Sequence, residues 1–327
     1  MNYIVITSIF KPTEAVFKFS KLPNYQLVVV GDKKSPTEWA VDNVAYISVD
    51  DQLKIGESLK EVLPYNHYCR KMMGYLWAIK NGAEYIIDTD DDNIPKENWD
   101  FPSLTGSFDE IQGEEGYVNI YELFTEQKIW PRGLPLNLIT KKFNLQSRIT
   151  KSDVKIGVWQ GLADEDPDVD AIYRLTSDTP CNFNDREPVV LNEGVICPYN
   201  SQNTLTVKEL FPLLYLPTYV TFRFTDILRG LVAQPIMWKH GYKLGFTKAT
   251  VVQIRNPHDY MKDFISEIPM FIHGEKVVGL VTEAITGNSV AEDLLLAYKA
   301  LLANDIVEEK EIVVLEAWLK DLQAFTK

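Results

Sequence analysis

The chain has 327 residues, of which 46% are hydrophobic and 24% charged, enough apolar material for one large α/β domain or two small ones. Its formal net charge of -13 argues against nucleic acid as a partner, because a phosphate-reading surface is normally basic. Three scattered cysteines exclude a disulfide framework, and no apolar run reaches the roughly 20 residues of a membrane span. The start Met1-Asn2-Tyr3-Ile4-Val5-Ile6 lacks a basic n-region, so the expected setting is cytoplasmic, without a signal peptide.

In chain order, residues 3–9 form a compact β-branched run that reads as a central parallel strand, closing on Thr7 and Ser8. Residues 26–32 repeat the pattern and end on Gly31, Asp32 and Lys33, and residues 44–49 supply a third strand. Thr7, Ser8, Asp32 and Lys33 thus gather at strand ends, where open α/β sheets hold their ligands, and make the floor of a nucleotide pocket. Residues 66–81 turn helical, and Gly82 stops the helix. Arg70 and Lys71 lie in its first turns, where cations oppose the helix dipole, so helix stability does not explain them. Two readings stand for them: cations for a nucleotide diphosphate, or a solvated basic pair.

The next strand, Tyr85-Ile86-Ile87, ends in Asp88-Thr89-Asp90-Asp91-Asp92. Four carboxylates emerging together at one strand edge need a counter-charge. Mg²⁺ and Mn²⁺ take one or two carboxylates plus phosphate oxygens, so Asp90 and Asp92 read as an Asp-x-Asp metal and diphosphate site, with Asp91 beside them. The alternation of strand and helix up to this point is that of a doubly wound nucleotide-binding half, without a Gly-rich phosphate loop.

Residues 116–124 look strand-like, and Arg132 is pinned between prolines in an apolar bend, a setting that calls for an anionic partner. Residues 153–160 read as a strand that leads into an acidic cluster, residues 164–170, in which Asp170 is placed to cap a helix. Thr225 or Asp226 is placed to cap a later helix, and Asp226 is where a general base would be held, with Asp164 in reserve. Residues 242–246 and 250–254 are two short strands, and the second leads to His258, the most interesting of four histidines. From about residue 276 the tail is helical and acidic-amphipathic, with Ser289-Val290-Ala291-Glu292 as a capping box. It is read as a packing extension with homodimerisation open to it. The expected organisation is residues 1–275 as one domain, in halves 1–105 and 106–275, followed by residues 276–327.

Several segments resemble the STELLO family. They are Ile129-Trp130-Pro131-Arg132-Gly133-Leu134-Pro135-Leu136, Pro167-Asp168-Val169-Asp170-Ala171-Ile172-Tyr173-Arg174-Leu175, Pro198-Tyr199-Asn200-Ser201-Gln202-Asn203-Thr204, residues 223–230 and Gln253-Ile254-Arg255-Asn256-Pro257-His258. The order of elements is similar to the GT-A glycosyltransferase architecture, and the Asp-rich strand end more distantly resembles the UDP-arabinopyranose mutases. The resemblance implies a GT-A-like, Rossmann-like α/β fold with a mixed, mainly parallel sheet flanked by helices. It implies a metal-dependent glycosyltransferase, resembling a soluble microbial relative, that moves a sugar from a nucleotide-sugar donor, with UDP favoured, to a glycan or other hydroxyl acceptor. Asp90 and Asp92 would hold Mn²⁺ or Mg²⁺, His258 would complete the shell, and Asp226 would match the carboxylate that deprotonates the acceptor. Thr225-Asp226 stands where the family type more often has Glu-Asp. The same site would also serve a nucleotide-sugar isomerase or a non-catalytic binding scaffold.

Overall fold

A computed structural model of the chain describes residues 1–113, 116–177, 179–254 and 259–325. Its first half alternates β1 (Asn2–Thr7), α1 (Glu14–Phe19), β2 (Tyr25–Val30), β3 (Val44–Ile47), α2 (Val49–Gln52), α3 (Leu59–Val62), α4 (Lys71–Lys80) and β4 (Tyr85–Thr89). The four strands are parallel, in the order β3-β2-β1-β4, so their C-terminal ends share one edge. Their Val and Ile runs are buried on both faces, as a covered parallel sheet requires. Helix α4 lies close on β1 and β2 because position 74 is glycine. A Cβ there would come within 2.6 Å of Val30 and 2.7 Å of Val5.

Beyond β4 the sheet changes character. β5 (Asn93–Pro95), β6 (Thr105–Ile111), β7 (Gly116–Tyr117), β8 (Ile149–Glu165), β9 (Val189–Leu191), β10 (Val195–Ile196), β11 (Asn203–Val207) and β12 (Lys243–Gln253) follow, with α5 (Ala171–Thr176) and α6 (Thr225–Lys239) between them. β11 pairs antiparallel with β4, Asn203 opposite Thr89, so the Asp-rich loop leaves the sheet where strand direction reverses. Among the described residues the large sheet runs β3-β2-β1-β4-β11-β8-β6-β9-β12-β5, parallel in its first four strands and mixed in the rest. The mixed α/β class is as expected.

Three local expectations need correction. The two short strands at 242–254 are one strand, β12, whose register against β8 shifts near Ala249; such irregularities absorb a residue without ending the strand. The strand expected at 116–124 stops at Tyr117, because the Asn119 side chain accepts from Tyr121 N and starts a 3₁₀ turn, Ile120–Leu123. Asp170 does cap α5 through Tyr173 N at 2.9 Å, but neither Thr225 nor Asp226 caps α6, for both lie inside its first turn.

Helices α7 (Tyr260–Ala284), α8 (Val290–Ala303) and α9 (Glu309–Phe325) complete the chain. The boundary expected at residue 276 falls inside α7. Ser289 accepts from Glu292 N at the start of α8, as the capping box foretold. No helix among the described residues is long and apolar enough to cross a membrane. The three cysteines are buried free thiols.

Helix α9 reaches back to the first half of the chain. Asp321, nearly fully buried, accepts from Glu57 N, Ser58 N and Leu59 N at 2.8–3.1 Å and so caps α3 from across the fold. Gly56, at φ +69°, leaves room for that carboxylate. Asp321→Ala strands three amides and should cost about 2–4 kcal/mol in urea unfolding. A loss below about 1 kcal/mol would show that the cap matters little.

Candidate functional site

At the shared strand edge lies a cavity of about 370 Å³, and it gathers residues from both halves of the chain. The Asp-rich loop forms its floor, but the four carboxylates do not act alike. Asp88 is fully buried and points inward, its oxygens 2.6 Å from Lys71 Nζ and 2.7 Å from Arg229 Nη1. The expectation that it emerges with the others is therefore corrected: it belongs to the core. Lys71 also reaches Asp90 at 2.9 Å. Burial opposes the charge of Lys71, but Asp88 and Asp90 outweigh that and hold its ammonium above the ordinary range.

Asp90, Asp91 and Asp92 all line the cavity. Burial pushes the Asp90 carboxyl up to about 6; Lys71 opposes the shift, while Asp92 and Asp88 add to it. Burial also raises Asp91, against the Ser8 hydroxyl that donates to its Oδ2. Thr13 donates to the Asp91 carbonyl at 2.6 Å, which fixes the loop. Asp92 accepts from Gln253 Nε2 at 3.1 Å.

The residues expected to hold phosphates divide. Thr7, Ser8 and Asp32 line the cavity. Asp32 is occupied as a loop anchor, accepting from Lys33 N at 2.7 Å and His67 N at 3.0 Å. Lys33 sits over the Tyr65 ring, 3.9 Å from its centroid, and the cavity takes Lys34 instead. Arg70 is turned away, a second correction. Its guanidinium is buried on Gln52 Oε1 and the Leu63 carbonyl, because one helical step swings it about 100° from Lys71.

The other end of the cavity is built on Arg132. It forms a two-pronged pair with Asp168, both bonds 2.8 Å, and reaches Asp226 at 2.9 and 3.0 Å and the Arg223 carbonyl. Arg132 thus has the anionic partners its setting called for, and they are protein carboxylates. Asp226 also accepts from Ser201 N and Oγ at 3.3 and 3.4 Å. Asp164, the reserve base, is not in the cavity lining: it pairs with Lys96 and accepts from Phe183 N. Asp164 therefore has no place at the cavity as a base. His258 lies outside the described residues.

Sequence reasoning passed over Tyr68, Asp168 and Ser201. The Tyr68 hydroxyl lies 2.6 Å from Ser201 Oγ and 3.2 Å from Asp90, and Ser201 Oγ lies 3.4 Å from Asp226; with one proton on each hydroxyl, two of these three contacts are hydrogen bonds at a time. The available signal for Tyr68 was its position three residues before Lys71, one turn away. For Asp168 it was the acidic cluster itself.

No group of three His, Cys, Asp or Glu side chains is arranged to hold a metal among the described residues. Asp90 and Asp92 suit a divalent ion that takes two carboxylates here and its other oxygens from a ligand and water. Burial raises the Asp90 carboxyl even with Lys71 beside it, and Asp92 and Asp88 add to the rise, so a cation at this edge would relieve both the desolvation and the repulsion.

An acid raised to about 6 in the folded chain costs stability once ionised: the cost is absent below its unfolded value of 3.8 and complete above 6. Without metal, Asp90→Asn should therefore be the more stable form by about 1–2 kcal/mol at about pH 7.5, allowing for solvent screening. The gain should vanish near about pH 4. Urea unfolding in EDTA across this range checks it, and a less stable Asn variant at the upper end would refute the assignment.

Residues 223–326 match the family model of the STELLO glycosyltransferases. The chain is 28% identical over 344 residues to probable glycosyltransferase STELLO1 of Arabidopsis thaliana, covering 99% of this chain and 44% of that protein. STELLO2 of the same plant is 27% identical over 345 residues, covering 98% of this chain and 44% of its own. The resemblance read from the motifs is thus shown, and the chain spans less than half the length of these relatives. Two of the solved structures that match share 10% identity with this chain. One is a mycobacterial protein, with a TM-score of 0.41 over 84% of this chain and 74% of that one. The other is glucosyl-3-phosphoglycerate synthase from Mycobacterium tuberculosis in complex with Mn²⁺ and UDP-glucose, with a TM-score of 0.39 over 84% and 78%.

Proposed function

We infer, from kinship with the STELLO glycosyltransferases together with the acidic cavity, that this chain is a metal-dependent glycosyltransferase of the GT-A type. It moves a sugar from a nucleotide-sugar donor, with uridine favoured, to an acceptor hydroxyl. The observation that carries the reading is the meeting of Asp90 and Asp92 with Asp226 in one cavity, at the point where the sheet changes direction.

Thr7, Ser8, Asp32, Lys34 and His67 line the end built from the parallel strands, and there they would receive the nucleotide. Asp90 and Asp92 would hold Mn²⁺ or Mg²⁺, whose chemistry is to offset charge on the leaving diphosphate. Ser8 and Thr13 fix Asp91, so the loop presents its neighbours in one arrangement. Lys71 works beneath them, balancing Asp88 and Asp90 rather than touching phosphate. Asp226 is oriented by Arg132 and Ser201 and would accept the proton of the acceptor hydroxyl. Asp168 holds Arg132 for that task.

Asp92→Asn should remove Mn²⁺-dependent binding of UDP-glucose and leave the circular dichroism spectrum unchanged; calorimetric titration showing wild-type affinity would contradict the metal assignment. Asp226→Asn should keep donor affinity and lose transfer by roughly 10²–10⁴-fold, the range of a positioned general base. Undiminished release of UDP in the presence of acceptor would take that role from Asp226.

A further inference from the structure

Phe222 stands out in the lining of the cavity. Folding buries most aromatic rings of this chain, yet Phe222 is 61% exposed. It is not a loose loop residue. It opens the 3₁₀ turn Phe222–Phe224, and the segment is tied down on both sides. Before it, Thr218 N and Tyr219 N donate to buried Glu311, and Thr221 Oγ1 donates to the Ser266 carbonyl at 2.6 Å. After it, Arg223 pairs with Glu267 at 2.9 Å. Its ring meets Tyr68 edge-to-face, 5.6 Å between centroids, and Tyr68 is itself locked to Ser201 and Asp90. A large apolar ring is thus held in a cavity lined by charged side chains, one helical turn before Asp226.

We propose that Phe222 is the stacking platform for the acceptor, and that the acceptor is therefore a sugar ring, a glycoside or glycan end, rather than an open-chain polyol or a protein hydroxyl. The assignment rests on the glycosyltransferase reading above. A pyranose has an apolar C–H face that covers a phenyl ring, while its hydroxyls project from the edge. Stacked on Phe222, such a ring brings an edge hydroxyl toward Asp226. In the transfer, Asp226 takes the hydroxyl proton, the acceptor oxygen bonds to the donor's anomeric carbon, and the bond from that carbon to the diphosphate breaks, its electron pair leaving with the nucleotide. A serine side chain or glycerol offers no face to cover the ring. Phe10, the other exposed aromatic of the lining, belongs to the nucleotide end. Its backbone N–H donates to Ser8 Oγ and its carbonyl accepts from Trp39.

The test is saturation-transfer NMR on the full chain with UDP and diamagnetic Mg²⁺, with methyl β-glucopyranoside, methyl α-mannopyranoside and glycerol as probes. Wild type should saturate the ring C–H protons of at least one glycoside and leave glycerol silent. Phe222→Ala should weaken glycoside binding by about five- to tenfold, and Phe222→Trp should preserve it. UDP affinity, measured by calorimetry on the same samples, should be unchanged in both variants. Equal glycoside binding by wild type and Phe222→Ala would overturn the proposal, as would glycerol binding as well as either glycoside. If UDP binds with Mg²⁺ and neither glycoside does, the Phe222 assignment alone falls. If wild type binds UDP with neither Mg²⁺ nor Mn²⁺, the donor reading falls and takes the acceptor role with it.

Discussion

The contact on which the rest depends is buried charge. Asp88 on β4 has no exposure to water, and its carboxylate is held by Lys71 of α4 and Arg229 of α6. Removing one member of such a cluster leaves an uncompensated charge in the interior, at a cost of roughly 3–5 kcal/mol. The cluster therefore fastens three elements: a central strand, a helix of the parallel half and a helix of the later half. The acidic loop sits directly above it. Lys71 is the shared member, since the same ammonium that balances Asp88 also reaches Asp90 at the cavity.

A second network, Arg132 with Asp168 and Asp226, stands at the other end, and Tyr68 with Ser201 joins the two. Charged groups placed in this way are oriented before any ligand arrives, which is the condition for electrostatic stabilisation of a transition state. The price is that cations which look available in the sequence are engaged by the protein itself, Lys71 and Arg132 by carboxylates and Arg70 by Gln52 and the Leu63 carbonyl.

The sequence made the parallel half legible because its strands are short, uniformly β-branched and buried on both faces, and it announced the acidic edge through its density of aspartates. It did not reveal which way each charge points. Helix α4 is buried from Lys71 to Leu76 without interruption, so its pattern has no polar face from which to phase Arg70 against Lys71. Asp88 and Asp90, two apart on a strand end, read alike in sequence, yet only Asp88 is sealed in the core. Asp164 and Asp168 stand in one acidic cluster, and only Asp164 is read as a base from the sequence. The strand β8 runs on to Glu165 and carries Asp164 toward Lys96, whereas Asp168 lies in the following turn, facing Arg132. Such choices depend on partners distant in the chain, which no local period encodes.

The same holds for the C-terminal helices, which read as a packing extension. Glu311 on α9 is fully buried, and its carboxyl, raised by burial, accepts from Thr218 N, Tyr219 N and the Tyr215 hydroxyl. It is the cap of the loop that leads to Phe222, Arg223 and Asp226. Asp321, ten residues on, caps the start of α3 in the first half. One helix thus holds a wall of the cavity with one carboxylate and the parallel-strand half with another. The tail acts as a brace between the two ends of the cavity, and the geometry of the wall that carries Asp226 depends on side chains that never enter it.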